Sequence, residues 1–287
     1  MKTVLAFSTT GAWDMVEGFG CASLGLAGVC NNNQTVVVNY PCKLEGITLC
    51  GSYRNVLADA KKIRKTIHAA IVLFGNAGGE NGFMEELQKV IQCPMVGGGA
   101  AIDTATGRGA LITGGGEVAV FLITDDRYTY KAVTQCIHDH VLGQVNLTLG
   151  DSRTIMYINN IPAEQYLAEK RAELGLKDTD FEHLTLSDMN NINAHLSCTD
   201  GIIKSGRDLQ ETMLLRYVDH NDVYDRIRAF YDDDSAIVFG CAGLSGLLDN
   251  PLDTKSLGLF LFGEVCTVDG YVQFGNLMLS KLVIEEK

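Results

Sequence analysis

The sequence contains no apolar run long enough to cross a membrane. Its longest, such as Val118 to Ile123, are of strand length and far below the roughly 20 residues that a spanning helix needs. At the N-terminus Lys2 is followed only by Val4-Leu5-Ala6-Phe7 before Ser8-Thr9-Thr10 interrupts, too short for the apolar core of a secretory signal. These two absences lead to the expectation of a cytoplasmic protein with no membrane partner. Positive charge is also scarce: 23 Lys and Arg stand against 35 Asp and Glu, a formal charge of −12. No basic cluster offsets that, so nucleic acid is not an expected partner. The nine cysteines, at 21, 30, 42, 50, 93, 136, 198, 241 and 266, are odd in number and include no Cys-x-x-Cys pair. This argues against both a disulfide framework and a structural zinc site.

Catalytic motifs are missing as well. There is no Gly-x-x-x-x-Gly-Lys-Ser/Thr phosphate loop, no Gly-x-Gly-x-x-Gly dinucleotide turn, no Gly-x-Ser-x-Gly elbow and no His-Glu-x-x-His. The sequence therefore assigns no catalytic residue, no metal ligand and no cofactor. Six histidines occur, at 68, 138, 140, 183, 195 and 220, and none lies between Ala69 and Ile137. His138-x-His140 puts two imidazoles on one side of a strand, but a pair supplies too few ligands for a metal.

What is present is a globular composition, 46% hydrophobic and 20% charged, in a chain long enough for one or two ordinary domains. Two segments share a plan. Ala236 to Phe239 is an apolar strand, after which Gly240, Ala242, Gly243 and Gly246 surround Cys241 with small residues; Leu257 to Phe262 is a second apolar run. Val268-Asp269-Gly270 is a hairpin signal, and Tyr271 to Phe274 and Leu277 to Ile284 complete an expected three-strand meander. Upstream, Ala70 to Phe74 precedes Gly75-Asn76-Ala77-Gly78-Gly79, Gly82 to Gln92 reads as a helix, and Val96 to Asp103 leads through a turn to Gly109–Thr113 and Glu117–Ile123. Two related halves follow, their glycine-rich turns facing a shared cleft.

Elsewhere Thr3 to Phe7, Thr35 to Val38, Gly46 to Leu49, Tyr128 to Ile137, Gln144 to Leu149 and Thr154 to Ile158 read as strands, and Met15 to Val29 as a buried helix despite four glycines. Asn55 to Ala69 reads as an amphipathic helix capped by Asn55, with Lys61, Lys62, Arg64 and Lys65 on a solvated face. Pro162 opens a helix to about Leu174, Gly201 to Arg216 reads as paired strands across Gly206, and Asn221 to Tyr231 as a helix. The expected class is α+β, with mixed, largely antiparallel sheets covered by helices. The polar stretch from Lys177 divides the chain into domains 1–176 and 177–287.

Few residues stand out as chemical candidates. Gly97-Gly98-Gly99 can present backbone N–H groups to an anion, or allow tight strand packing. Cys241, after a buried strand and among small residues, is either a sterically open thiol or an inert core residue. Glu264 and Asp103, at strand ends beside glycine, can each accept hydrogen bonds from a ligand or cap a turn.

Three motifs, in order, resemble one family. LGLFLFGEVCTVDGYVQFGNLMLSKLVI resembles the end of the C-terminal FIST domain, with its aromatic-Gly-Glu turn and Asn-bearing strand. VGGGAAID resembles the Gly-Gly-small-x-Asp signature of the N-terminal FIST domain, and Asn160-Ile161-Pro162-Ala163 with Tyr166 resembles the element joining the two. The resemblance spans Ala69 to Lys287 and implies a small-molecule-binding sensory protein whose ligand is an amino acid or similar polar metabolite. With no kinase, cyclase or methyl-accepting segment in this chain, such a sensor would report through a separate signalling protein. Residues implied at the ligand are Asn76, Gly97, Gly98, Gly99, Asp103, Cys241, Gly263, Glu264 and Asn276. FIST relatives often carry an Arg three residues after the cysteine, where this chain has Leu244. Two alternatives remain at this level: an enzyme using Cys241 or the Asp103 and Glu264 carboxylates, and a haem-based gas sensor like one branch of the family.

Overall fold

The six consecutive apolar residues Ala69–Phe74 are all buried because both faces of the strand they form are covered. The computed structural model describes residues 2–3, 5–8, 19–22, 25–27, 35–38, 44–75, 78–100, 112, 116–177, 183–232, 236–245 and 257–287. In chain order the elements are β1 (Lys2–Thr3), β2 (Leu5–Ser8), β3 (Phe19–Ala22), β4 (Gly25–Ala27), β5 (Thr35–Val38), β6 (Leu44–Gly51), α1 (Tyr53–Ala60), β7 (Ala69–Phe74), α2 (Glu80–Val90), β8 (Met95–Gly99), β9 (Val118–Ile123) and β10 (Tyr128–Cys136). They continue as β11 (His140–Asp151), β12 (Thr154–Ile158), β13 (Ile161–Pro162), α3 (Ala163–Glu173), β14 (Leu184–Ser187), β15 (Asn193–Ala194), β16 (Leu196–Thr199), β17 (Ile202–Ser205) and β18 (Thr212–Tyr217). The last are α4 (His220–Tyr231), β19 (Ala236–Cys241), α5 (Ala242–Ser245), β20 (Leu257–Leu261), β21 (Glu264–Val268), β22 (Tyr271–Gly275) and β23 (Met278–Glu286).

The fold is α+β, and two of its sheets repeat one pattern. The first runs β1-β6-β9-β7-β8-β21-β22 and the second β10-β23-β19-β20-β4. In each, a parallel pair joined through a helix (β7 with β8, β19 with β20) is flanked by an antiparallel strand (β9, β23) that in turn pairs with an earlier one (β6, β10). A helix also precedes each central strand, α1 before β7 and α4 before β19. The two sheets thus share one order of elements. Each of the three larger sheets nevertheless takes strands from both sides of residue 177.

The repeats pack as four layers. Ala69, Ile71 and Leu73 of β7 face Ile237, Phe239, Leu282 and Ile284 of the second sheet. The alternate residues Ala70, Val72 and Phe74 face Val56 and Ala60 of α1 and Phe83, Met84 and Leu87 of α2. Val238 and Leu279 turn outward beneath Val223, Ile227 and Phe230 of α4. Period-two alternation thus buries both faces of each central strand. Inserted between β10 and α4 is a third sheet, β15-β14-β18-β11-β12-β17-β16, whose core includes Leu167 of α3. The outward N–H groups of edge strand β22 are not open to another strand: Val272 N and Phe274 N donate to Gln88 Oε1 and Asn81 Oδ1 of α2, at 3.3 and 3.0 Å.

Several expectations need correction. Within the helix expected over Met15–Val29, the described residues form β3 and β4, because pairing with β2 and β20 supplies hydrogen bonds that a glycine-weakened helix could not match. The helix expected to run to Ala69 stops at Ala60: Ser52 caps it by accepting from Asn55 N, and Arg64 donates to the Lys61 carbonyl at its far end. The four basic side chains are exposed, as expected of a solvated face. Gly97, Gly98 and Gly99 are strand rather than turn. The expected pairing within Gly201–Arg216 does not form, since β17 pairs with β12 and β16 while β18 pairs with β11 and β14. The Asp269-Gly270 hairpin is present, both residues left-handed at φ 49° and 81°, but β23 leaves the meander for the second sheet.

Candidate functional site

The chain departs from the meander at Asn276-Leu277, and the site is built around that departure. Leu277 sits at φ 53°, a left-handed conformation costly for a side chain larger than glycine, asparagine or aspartate. It is held from outside: Asn276 N donates to the Asn193 carbonyl, and Asn193 Nδ2 donates to the Leu277 carbonyl at 3.3 Å. A second left-handed residue, Gly263 at φ 81°, lets the chain cross from β20 in one sheet to β21 in the other. The two turns lie together, for a Cβ on Gly263 would come within 2.8 Å of Asn276 Nδ2.

Glu264 opens β21, opposite Gly98 on one side and Gly275 on the other. It is fully buried, and Met278 N donates to its Oε2 at 3.1 Å. Its carboxyl is also in hydrogen-bonding contact with the Cys241 thiol. Backbone N–H groups of Leu277, Gly243 and Gly263 are directed at the Cys241 sulfur. Burial pushes Glu264 well above the ordinary carboxylate range, and it pushes the thiol up strongly too, with the Glu264 charge adding to the effect. Both shifts favour the protonated forms. Tyr231, fully buried under Gly240, is raised by burial and by the same two neighbours.

Two buried oxygen atoms here, Glu264 Oε1 and Asn276 Oδ1, have no hydrogen-bond partner among the described residues. Asn276 is 7% exposed and its Oδ1 lies 2.6 Å from where a Cβ on Gly206 would stand. Such orphans cost about 1–3 kcal/mol each unless another molecule satisfies them.

The structure thus brings Gly98, Cys241, Gly263, Glu264 and Asn276 together, with Gly97 and Gly99 on the same strand. Asn76 and Asp103 lie outside the described residues. For Cys241 and the β8 glycines the structure selects the packing reading of the two alternatives that the sequence left open. Cys241 is not sterically open; it is a buried strand residue, 5% exposed, because β19 continues through it. The glycines of β8 present no amides to an anion. Gly99 N donates to the Gly263 carbonyl at 3.1 Å, and the Gly263 and Phe262 carbonyls occupy the places where Cβ atoms on Gly98 and Gly99 would go. Burial raises the Glu264 pKa, which works against the charged form of a ligand-accepting carboxylate. His138 and His140 do not share a strand face either: His138 lies between β10 and β11, buried against Asn193, whereas His140 opens β11, exposed and stacked on Tyr217. Among the described residues no group of three or more His, Cys, Asp or Glu is arranged to hold a metal, and no helix is long and apolar enough to cross a membrane.

Sequence reasoning missed Asn193, His195, Gly206, Arg207 and Leu277. A lone asparagine or histidine on an inserted sheet carries no spacing signal. His195 enters because its ring flanks Gly243, whose absent Cβ would be 3.8 Å from both the ring and the Cys241 sulfur.

The raised pKa of Glu264 has a measurable consequence. A carboxyl whose folded pKa is raised stabilises the fold most below its unfolded value, about 4.3, and that contribution is lost as pH rises through the raised folded value. Glu264→Gln cannot ionise, so its urea midpoint should stay flatter than wild type over that rise. Parallel pH dependences in the two proteins would show that Glu264 ionises without cost.

Compared with models of known families the chain matches none, and compared with curated proteins it likewise matches none.

Proposed function

We propose that the chain is a small-molecule-binding sensory protein of FIST type, with an amino acid or similar amino-bearing metabolite bound at Glu264, Asn276 and Cys241. The observation that carries this reading is the pair of buried oxygens at one junction, Glu264 Oε1 and Asn276 Oδ1, that have no partner among the described residues and can both accept once Glu264 gives up its proton. A ligand offering N–H donors fits both. The location supports it, because Gly99 and Cys241 end the two parallel strand pairs, and ligands of sheets with helical crossovers collect at the carboxyl ends of strands. Binding at a place where both sheets and the inserted sheet meet can alter how they sit together, and a separate signalling protein would read that change.

An ammonium group beside Glu264 favours its carboxylate, so binding ejects a proton. Affinity therefore rises with pH until the raised pKa of the free protein is passed. Calorimetric titration against a panel of free amino acids, in buffers of different ionisation enthalpy, tests this. The expected result is one saturable site with proton release, and Glu264→Gln weakening it by about 1.5–3 kcal/mol. A ligand at about 100 times its dissociation constant should add about 2.7 kcal/mol of stability. If no amino acid binds or stabilises the protein, the reading fails.

A further inference from the structure

The proposed binding role makes no use of the sulfur, although more backbone N–H groups converge on it than packing requires. Three N–H groups from separate segments point at Cys241 Sγ: Gly243 at the start of α5, Gly263 in its left-handed turn and Leu277 in a conformation that Asn193 must hold in place. The Glu264 carboxyl completes the set, with one oxygen anchored by Met278 N and the other, Oε1, without a partner among the described residues. Another buried thiol, Cys266, packs instead among Ile192 and Met278, its sulfur directed at the Glu264 backbone carbonyl. Cys241 is itself covered, yet Ala242, Gly243 and His195 beside it are partly exposed, so the sulfur lies one residue below the surface.

We propose that Cys241 and Glu264 act together as a thiol–carboxyl pair that adds reversibly to the carbonyl carbon of a small polar aldehyde. In the step, the sulfur forms a bond to the carbonyl carbon as the C=O π bond breaks. The thiol proton passes to one carboxyl oxygen of Glu264 while Oε1 gives its proton to the carbonyl oxygen. The product is a thiohemiacetal with its hydroxyl intact, and the carboxylic acid is regenerated. No oxidant, reductant or leaving group is involved, and no net charge develops, which suits a buried pair that burial keeps protonated. The other ionisable groups near the thiol are Tyr231 and Cys266, both also held protonated by burial, with His195 across Gly243.

This inference rests on the same site as the binding reading, but the two are read out separately. Titration with glycine, which has no carbonyl electrophile, reports binding; adduct formation with glycolaldehyde reports the addition. Isotope-labelled glycolaldehyde would be followed by NMR for a thiohemiacetal carbon. Its position would be mapped by the protection it gives Cys241 against iodoacetamide, read by peptide mass analysis. The expected result is an adduct at Cys241 that forms about a hundredfold more slowly in Glu264→Gln at unchanged melting temperature, with partial recovery in Glu264→Asp. A readout that needs no variant is the pH profile. The relay predicts a rate flat with pH, whereas reaction through a free thiolate, as at an exposed thiol such as Cys50, gains about tenfold per pH unit. Absence of an adduct at Cys241, an equal or faster rate in Glu264→Gln, or a Cys241 rate that climbs in parallel with Cys50 would overturn the proposal.

Discussion

Replacing Gly97 with alanine should lower the melting temperature by about 8–16 °C, the largest effect expected of any single methyl group in this chain. Gly97 is the middle residue of β8, opposite Val72 on β7 and Val265 on β21, so neither neighbour can move without breaking a ladder. A Cβ there would stand on the Val72 carbonyl oxygen, with Val72 N only 2.9 Å away, and the backbone is at φ 138°. Overpacking costs about 1–3 kcal/mol and a disfavoured backbone conformation about the same again, giving roughly 4 kcal/mol in total. Gly82→Ala is the control. It sits inside α2 with nothing within 4 Å of the new methyl, and should stabilise by about 0.5–1 kcal/mol. Calorimetry on both variants decides the matter; a Gly97→Ala protein melting within a degree or two of wild type would show that β8 is not packed as described.

A comparable loss should follow Asp188→Ala. Arg207 and Asp188 form a buried ion pair at 3.0 Å with side chains 5% and 2% exposed. Arg207 also donates to the Ile192 carbonyl, and Asp188 Oδ1 accepts from Asn190 N and Ile192 N. Removing the carboxylate strands a buried guanidinium and frees the loop, at a cost of about 3–5 kcal/mol. The adjacent Arg207→Leu, added to Asp188→Ala, removes the stranded charge and should recover much of that loss. Urea denaturation of both single variants and the double variant forms a cycle, and simple additivity of the two losses would refute the pairing. The pair matters to the site because it fixes the 188–193 turn, from which Asn193 holds Leu277 left-handed and so aims its N–H at Cys241.

How far the sequence carries can be judged from particular stretches. The uninterrupted apolar run at 70–74 and the one at 236–239 are strands covered on both faces, and their likeness is the likeness of the two sheets. Asp269-Gly270 predicts its hairpin because only residues tolerant of positive φ make a two-residue turn of that hand. Cys241, Gly263, Glu264 and Asn276 are likewise recognisable as small or polar residues out of place in apolar strands, and they do converge.

Local pattern fails where a distant segment decides. A Gly-Gly-Gly run reads as an open turn, but the carbonyls of Phe262 and Gly263, more than 160 positions away, occupy the space that makes glycine necessary there. A continuing meander is the natural reading of 264–284, and the departure at Leu277 depends on Asn193 in an inserted sheet. No side chain near Cys241 in the chain supplies a partner for its thiol; Glu264, 23 positions on, does so only because Gly263 carries the strand into the opposite sheet. What the sequence by itself determined is the central apolar strands at 70–74 and 236–239, their alternating faces and the turn at 269–270, since these depend on the conformational preferences of neighbouring residues. The chemical state of the site was decided by tertiary structure alone, because whether Glu264 carries a charge depends on its removal from water, and burial is a property of the whole packed molecule.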